Sequence, residues 1–213
     1  MSEREGVIKY RLTHDDGILA STIDISEINA WRTVLYRLQL IGQLANKYHG
    51  LGFGNISQRL HLEQAPFLIT ATQTGHIPVL ERNDFAVVSA ASPAENWLHS
   101  TGPSRPSSEA LTHASVYRLD NQAQAVIHVH SPELWRQTHA LRLPHTAADI
   151  AYGSVEMSTA VEALFDSGQL RSLPIFSMLG HEDGVVAFGA TLDDAATTLL
   201  TQLTKAIAIE QGR

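Results

Sequence analysis

Behind Ser26, the apolar residues Ile28, Trp31, Leu35, Leu38 and Ile41 recur at three- and four-residue intervals. That spacing predicts a helix capped by Ser26, running over 27–49 and stopping at Gly50. NISQRL (55–60) alternates as a half-buried strand does, and FLITA (67–71) and FAVVSA (85–90) read as further strands. SSEALTHASVYRLD (107–120), just after Pro106, predicts a helix, and QAVIHVH (124–130) a strand. Ser131-Pro132 supplies the cap and first turn of a short helix. A helix near 154–166, strands at 173–179 and 184–188, and a final helix from Thr191 complete the pattern. In that last helix Leu192, Ala195, Leu199, Leu203 and Ile207 form an apolar stripe. Strands come in clusters flanked by helices, without strict alternation. The expected fold is therefore α/β of the α+β type, a central, mostly antiparallel sheet flanked by helices. With no internal repeat, low-complexity tract or linker, a single domain is expected over 1–213, with 1–25 as an N-terminal extension.

Composition narrows the chemistry. With 213 residues, 44% of them hydrophobic and 17% charged, the chain can bury a core of ordinary size. A net charge of -7 with scattered basic residues argues against a nucleic-acid partner. There is no cysteine, so any metal must be held by His, Asp or Glu. No apolar run approaches the roughly 20 residues of a membrane span, and the opening MSEREGVIKYRLTHDDG has no signal-peptide core. No membrane partner and a cytoplasmic location are the expectation.

One strand departs from this bland picture. In AVIHVHSP (125–132), His128 and His130 are two apart, so both imidazoles project to one face while Ile127 and Val129 go to the other. That geometry suits one metal ion, and it equally suits a hydrogen-bonded histidine pair on a half-exposed strand. A catalytic metal site takes three protein ligands and leaves a position open. His181, at the end of the apolar LPIFSML strand, is the best third candidate, with Glu182 and Asp183 as fallbacks; as a loop histidine beside two glycines it has a plainer reading too. Glu109 opens the helix that leads into the H-x-H strand. It is either a helix-start carboxylate favoured by the dipole or a proton shuttle facing the ion. His113, one helical turn on, shares its face.

Four segments, GFGNIS, ITATQTG, PSSEALTHASVY and AVIHVHSP, followed by the late His181, resemble class II aldolase/adducin proteins over roughly residues 27–208. That family includes L-fuculose-1-phosphate aldolase, L-ribulose-5-phosphate 4-epimerase and methylthioribulose-1-phosphate dehydratase. The resemblance implies a class II aldolase-like sheet covered by helices, with His128, His130 and His181 as ligands of Zn2+ or another divalent metal and Glu109 as the catalytic acid and base. It implies that Gly54 and Asn55, Thr74 and Gly75, and Ser107 and Ser108 contact a substrate phosphate. It also implies a homotetramer with sites near subunit interfaces. Read without the family, these glycines and hydroxyl residues are turns bordering strands and a helix cap.

The activity so implied is a metal-dependent lyase, cleaving an aldol or running related enediolate chemistry on a small hydroxy-carbonyl compound, a sugar phosphate foremost. Epimerisation, dehydration and decarboxylation use the same core. A non-catalytic module like the adducin head is the rival from another class. Two departures stand out. The family's H-G after the last ligand strand is here H-E-D-G, and Tyr152, the only tyrosine between H-x-H and the helix near 154, does not align with the aldolases' catalytic tyrosine.

Overall fold

The computed structural model describes residues 7–60 and 66–212. Its strands are β1 (Arg11–Asp16), β2 (Gly42–Gln43), β3 (Gly52–Phe53), β4 (Asn55–Arg59), β5 (Phe67–Thr70), β6 (Phe85–Ser92), β7 (Trp97–Gly102), β8 (Ala125–His130), β9 (His145–Thr146), β10 (Ile175–Met178) and β11 (Gly184–Gly189). Its helices are α1 (Ser26–Arg37), α2 (Ala110–Leu119), α3 (Pro132–Arg136), α4 (Val155–Asp166), α5 (Gln169–Ser172) and α6 (Leu192–Gln211). Nine strands form one sheet in the order β1-β7-β6-β5-β4-β8-β11-β10-β9, and β2 pairs with β3 apart from it. Every interior pairing is antiparallel, from β7–β6 to β11–β10. Only the edges, β1 on β7 and β9 on β10, are parallel. The mostly antiparallel sheet flanked by helices is thus the architecture found.

Strand alternation divides the interior into two layers. Ile127 and Val129 of β8 face a core shared with Ile28 and Leu35 of α1 and with Leu192, Ala195 and Leu199 of α6. Val126 faces the opposite core, built with Leu111, Val116 and Tyr117 of α2 and Met157 and Val161 of α4. Burying one such large side chain contributes roughly 1.5–3 kcal/mol, so β8, covered on both faces, is strongly fixed in register. His128 and His130 share the face of Val126, beneath α2.

Several elements differ from the pattern. The first helix ends at Arg37 rather than near Gly50. Gln39 takes a left-handed conformation (φ 59), and the N–H groups of Leu40 and Ile41 both turn back to the Leu35 carbonyl. Ile41 therefore reaches the core through a chain reversal that mimics helical spacing, and Gly50 closes only a short 3-10 turn, Tyr48–Gly50. Ser26 is the first helical residue, not the cap; Asp24 Oδ1 accepts its N–H at 2.9 Å. In α6 the buried stripe runs from Leu192 through Ala195 and Leu199 to Gln202 and Ala206, and Ile207 lies outside it. Ser131 is the cap expected, accepting from Leu134 N–H, and Thr191, the expected start of the last helix, caps it by accepting from Asp194 N–H. Of the expected extension 1–25, residues 1–6 lie outside the described residues, while 11–16 join the sheet as β1. No helix among the described residues is long and apolar enough to cross a membrane.

Candidate functional site

The sheet brings His181 beside the H-x-H pair. β8 and β11 are antiparallel neighbours with Gly184 opposite His130. A tight turn, with Gly184 N–H donating to His181 O at 2.9 Å, folds His181 back over that end. A Cβ on Gly184 would stand 2.6 Å from the His181 ring, so only glycine leaves the imidazole its place. One ligating atom from each of His128, His130 and His181 lies within 4.8 Å of the others, and all three residues are buried. Glu182 and Asp183 do not join this group: the Asp183 carboxylate accepts the Tyr48 hydroxyl at 2.6 Å, and its carbonyl accepts Ser131 N–H.

The protonation of His128 and His130 suits a cation. His128 Nδ1–H donates to the Val185 carbonyl at 3.2 Å, which leaves the lone pair on Nε2; that atom is buried and has no hydrogen-bond partner among the described residues. Burial first, then the neighbouring His181 and His113, hold His128 well below the usual imidazole range, against a smaller pull from the Val185 carbonyl. Burial, His181, His128 and then Lys47 do the same for His130. Two buried imidazoles held in the neutral form, one of them oriented by a carbonyl, are donors of the kind a divalent ion takes. The residues present therefore fit a three-nitrogen metal site.

Glu109 is buried, and its Oε1 lies 3.5 Å from His181 Nε2, while Thr112 Oγ1 donates to Oε2 at 3.3 Å. It occupies the cap position of α2, with its own N–H donating to Ser107 Oγ at 3.3 Å. His113 does not orient it. Its Nδ1 pairs with Ser57 Oγ at 2.7 Å, and Ser57 pairs with the Tyr117 hydroxyl at 2.8 Å, a fully buried polar chain behind His128. Burial pushes His113 down to about 3.

Gly54, Asn55, Thr74, Gly75, Ser107 and Ser108 come together as the lining of one small cavity of about 20 Å³. An Ala71–Pro106 bridge and the Ser107 N–H to Thr70 O bond (3.1 Å) bring the two turns side by side. Asn55 lies opposite His128 in the β4–β8 pairing. Gly54 needs its glycine: φ is +73, and a Cβ would meet the Ile41 side chain at 2.8 Å. On the other side of the cluster, a cavity of about 710 Å³ is lined by Lys47, Tyr48, His49, Trp135, His181 and Asp183 among others. The Tyr48 ring packs edge-on against His130 at 4.5 Å.

Sequence reasoning missed part of this support. Tyr10, inside the expected extension, donates its hydroxyl to Ser107 O at 2.8 Å; burial and then the charge of Glu109 raise its pKa. Tyr152 is fully buried with its ring 4.6 Å from His181, but its hydroxyl meets the Val7 backbone, directed away from the cluster. Tyr48 and His49 both take positive φ, a local strain that no sequence spacing shows.

Comparison with known proteins agrees with this architecture. Methylthioribulose-1-phosphate dehydratase of Granulibacter bethesdensis is 42% identical over 80 residues, 37% of this chain and 33% of that protein. Its counterpart in Alcanivorax borkumensis is 27% identical over 151 residues, 70% of this chain and 63% of that protein. The aligned stretches thus span less than two thirds of either relative. Among solved structures, a sugar-phosphate aldolase from Thermotoga maritima superposes with a TM-score of 0.65 at 18% identity, over 89% of this chain and 96% of that one. L-fuculose-1-phosphate aldolase from Thermus thermophilus gives 0.61 at 21%, over 87% and 91%. At these identities the likeness is one of fold. The model of the class II aldolase and adducin N-terminal domain matches residues 42–209, well over half of the sequence, and the chain belongs to that family.

Proposed function

We propose that this chain is a divalent-metal-dependent lyase-type enzyme acting on a small hydroxy-carbonyl compound, a sugar phosphate foremost. The carrying observation is the juxtaposition of three buried imidazoles with a buried carboxylate 3.5 Å from one of them. His128, His130 and His181 would hold the ion, and an all-nitrogen set with room for a further ligand favours zinc. When bound, such an ion supplies Lewis-acid polarisation of a substrate carbonyl. Glu109 takes a proton from the substrate carbon or returns it, with Thr112 fixing the rotamer of its carboxylate. Ser107, held by Tyr10, and Gly54, Asn55, Thr74, Gly75 and Ser108 form the cradle for an oxyanion on the substrate.

Dehydration is a second reading with its own support, because the two relatives above are named methylthioribulose-1-phosphate dehydratases. In that reading Glu109 takes the proton from the substrate carbon and returns it to the departing hydroxyl, which leaves as water with no carbon–carbon bond broken. Epimerisation and decarboxylation use the same parts. The reading takes 1–213 as one domain with a cytoplasmic location and, as the family resemblance implies, a homotetrameric assembly.

The test begins with metal analysis of gently purified protein beside His128→Ala and His181→Ala. About one zinc or other divalent ion per chain, lost in both variants, supports the site. Incubation with methylthioribulose 1-phosphate, L-fuculose 1-phosphate and L-ribulose 5-phosphate, followed by NMR of the products, then separates elimination, cleavage and epimerisation. Protein that binds no metal after dialysis against zinc would leave only a non-catalytic, adducin-head-like module.

A further inference from the structure

Arg32, in the middle of α1, is 1% exposed, and no carboxylate lies within ion-pair distance of it among the described residues. A buried cation without an anion costs several kcal/mol unless its donors are satisfied. Here carbonyl groups of a single turn satisfy them. Arg32 donates to Thr74 O at 2.9 Å, to Pro78 O at 3.1 Å and to Ile77 O. Its face rests on the Tyr36 ring at 4.9 Å. Burial lowers its pKa to about 10, with Tyr36 and Asp84 acting in the opposite sense, so it stays charged at neutral pH.

The turn that Arg32 grips carries Thr74 and Gly75. The Thr74 carbonyl accepts from both Arg32 and the Ile77 N–H. In a trans peptide the C=O and N–H point in opposite directions, so the Gly75 N–H points away from Arg32. On that side lies Gly52, whose missing Cβ would stand 3.2 Å from Gly75 N, and both residues line the small cavity. The Gly75 N–H makes no hydrogen bond to the described residues. Across the same cavity the buried Asn55 Oδ1 is also without a partner, and its amide can present the nitrogen end instead. The cavity itself contains no cation. Its donors are neutral, yet the peptide next to Arg32 is polarised by a full charge in a low-dielectric setting.

We propose that Arg32 is a positioning residue: it fixes the 74–78 turn and, by polarising its peptide units, makes the neutral cradle bind an oxyanion of the substrate, a phosphoryl group in particular. The inference rests on the cradle assignment of the proposed function. With about 20 Å³, roughly the room of one water, the cradle takes one oxygen of the phosphoryl group as it stands. The guanidinium fork matters as much as the charge, because one planar group holds carbonyls from three residues and a lysine ammonium cannot reproduce that geometry.

The experiment titrates inorganic phosphate into the metal-loaded full chain. Its affinity is measured by 31P line broadening, and the Gly75 amide is followed in 1H–15N spectra. Wild type is expected to bind phosphate with a downfield shift of the Gly75 proton. Arg32→Lys is expected to weaken phosphate roughly tenfold or more while metal content and helicity stay the same. A purely structural role would lower metal content and stability together and leave no selective loss of phosphate. Equal phosphate affinity in wild type and Arg32→Lys would overturn the inference and leave the cradle standing. Should Arg32→Lys not fold, wild type decides: phosphate binding that leaves Gly75 unmoved also overturns it. No phosphate binding in metal-loaded wild type would refute the cradle and the role of Arg32 together, leaving the metal site untouched.

Discussion

The two hollows beside the histidine cluster differ in every respect that bears on recognition. One is a 20 Å³ cradle of glycine, serine, threonine and asparagine, built from backbone turns. The other is a 710 Å³ opening with Lys47, His49, Glu182 and Asp183 on its walls. The cradle is tight, uncharged at its surface and braced from behind by Tyr10 and Arg32. The opening is wide, and the Tyr48 hydroxyl donates to Asp183 across its loop. A rigid cradle beside a wide, side-chain-lined opening suits a substrate with one constant end and one variable end. In this chain the wide opening is lined by His181, Glu182 and Asp183 of the H-E-D-G turn, a departure from the family pattern.

The sharpest way to break the comparison is to remove the histidine cluster beside the two hollows. His181→Ala or His128→Ala should take metal content from about one ion per chain to near zero, by elemental analysis, because loss of a direct ligand exceeds the roughly 10–100-fold cost of losing an outer partner. Glu109→Gln should keep the metal and lower turnover by roughly 10²–10⁴-fold in a steady-state assay. Gly54→Ala acts on the cradle first, although its Cβ would also stand 3.1 Å from the His128 carbonyl oxygen. With φ at +73 and the Ile41 side chain in the way, it should cost about 1–3 kcal/mol by denaturant melting and weaken phosphate before it affects metal. His113 gives a pH handle. Its folded pKa of about 3 lies below the unfolded value of 6.5, so between these values the unfolded chain binds the extra proton. Its share of stability is full above about 6.5 and is lost as pH falls toward 3, by up to about 1.4 kcal/mol per unit. His113→Asn should flatten that limb in metal-free protein. The smallest effect is expected on the wide side: Tyr48→Phe removes one hydrogen bond, about 0.5–1.5 kcal/mol, and should alter KM for the variable end more than kcat.

What could be read from the sequence follows from the range of the interactions. β8 was legible because alternation, an apolar run and the H-x-H spacing all lie within six residues. The caps at Ser131 and Thr191 are equally local. β1 was hidden: RLTHDD has little apolar content and becomes a strand only through β7, more than eighty residues away. The end of α1 was misplaced because Leu40 and Ile41 meet Leu35 by a reversal whose spacing imitates a helix turn. In the site, residue types at motif positions could be read from the chain, but the bracing could not. Nothing adjacent to Tyr10 signals that it holds Ser107, and Arg32 sits in an ordinary amphipathic helix.

The sheet's two margins bear on how this molecule meets its neighbours in a crowded solution. One outermost strand is RLTHDD, carrying Arg11, Asp15 and Asp16 at exposed positions, and the other, β9, is two residues long. A free strand margin is a template for pairing with another chain, and charge or brevity is what blunts it. Nine strands therefore end without offering a long apolar ribbon on either side, so filament-like stacking margin to margin is disfavoured. Asp15→Val with Asp16→Val would remove that protection and should bring turbidity on gentle heating well before the core melts.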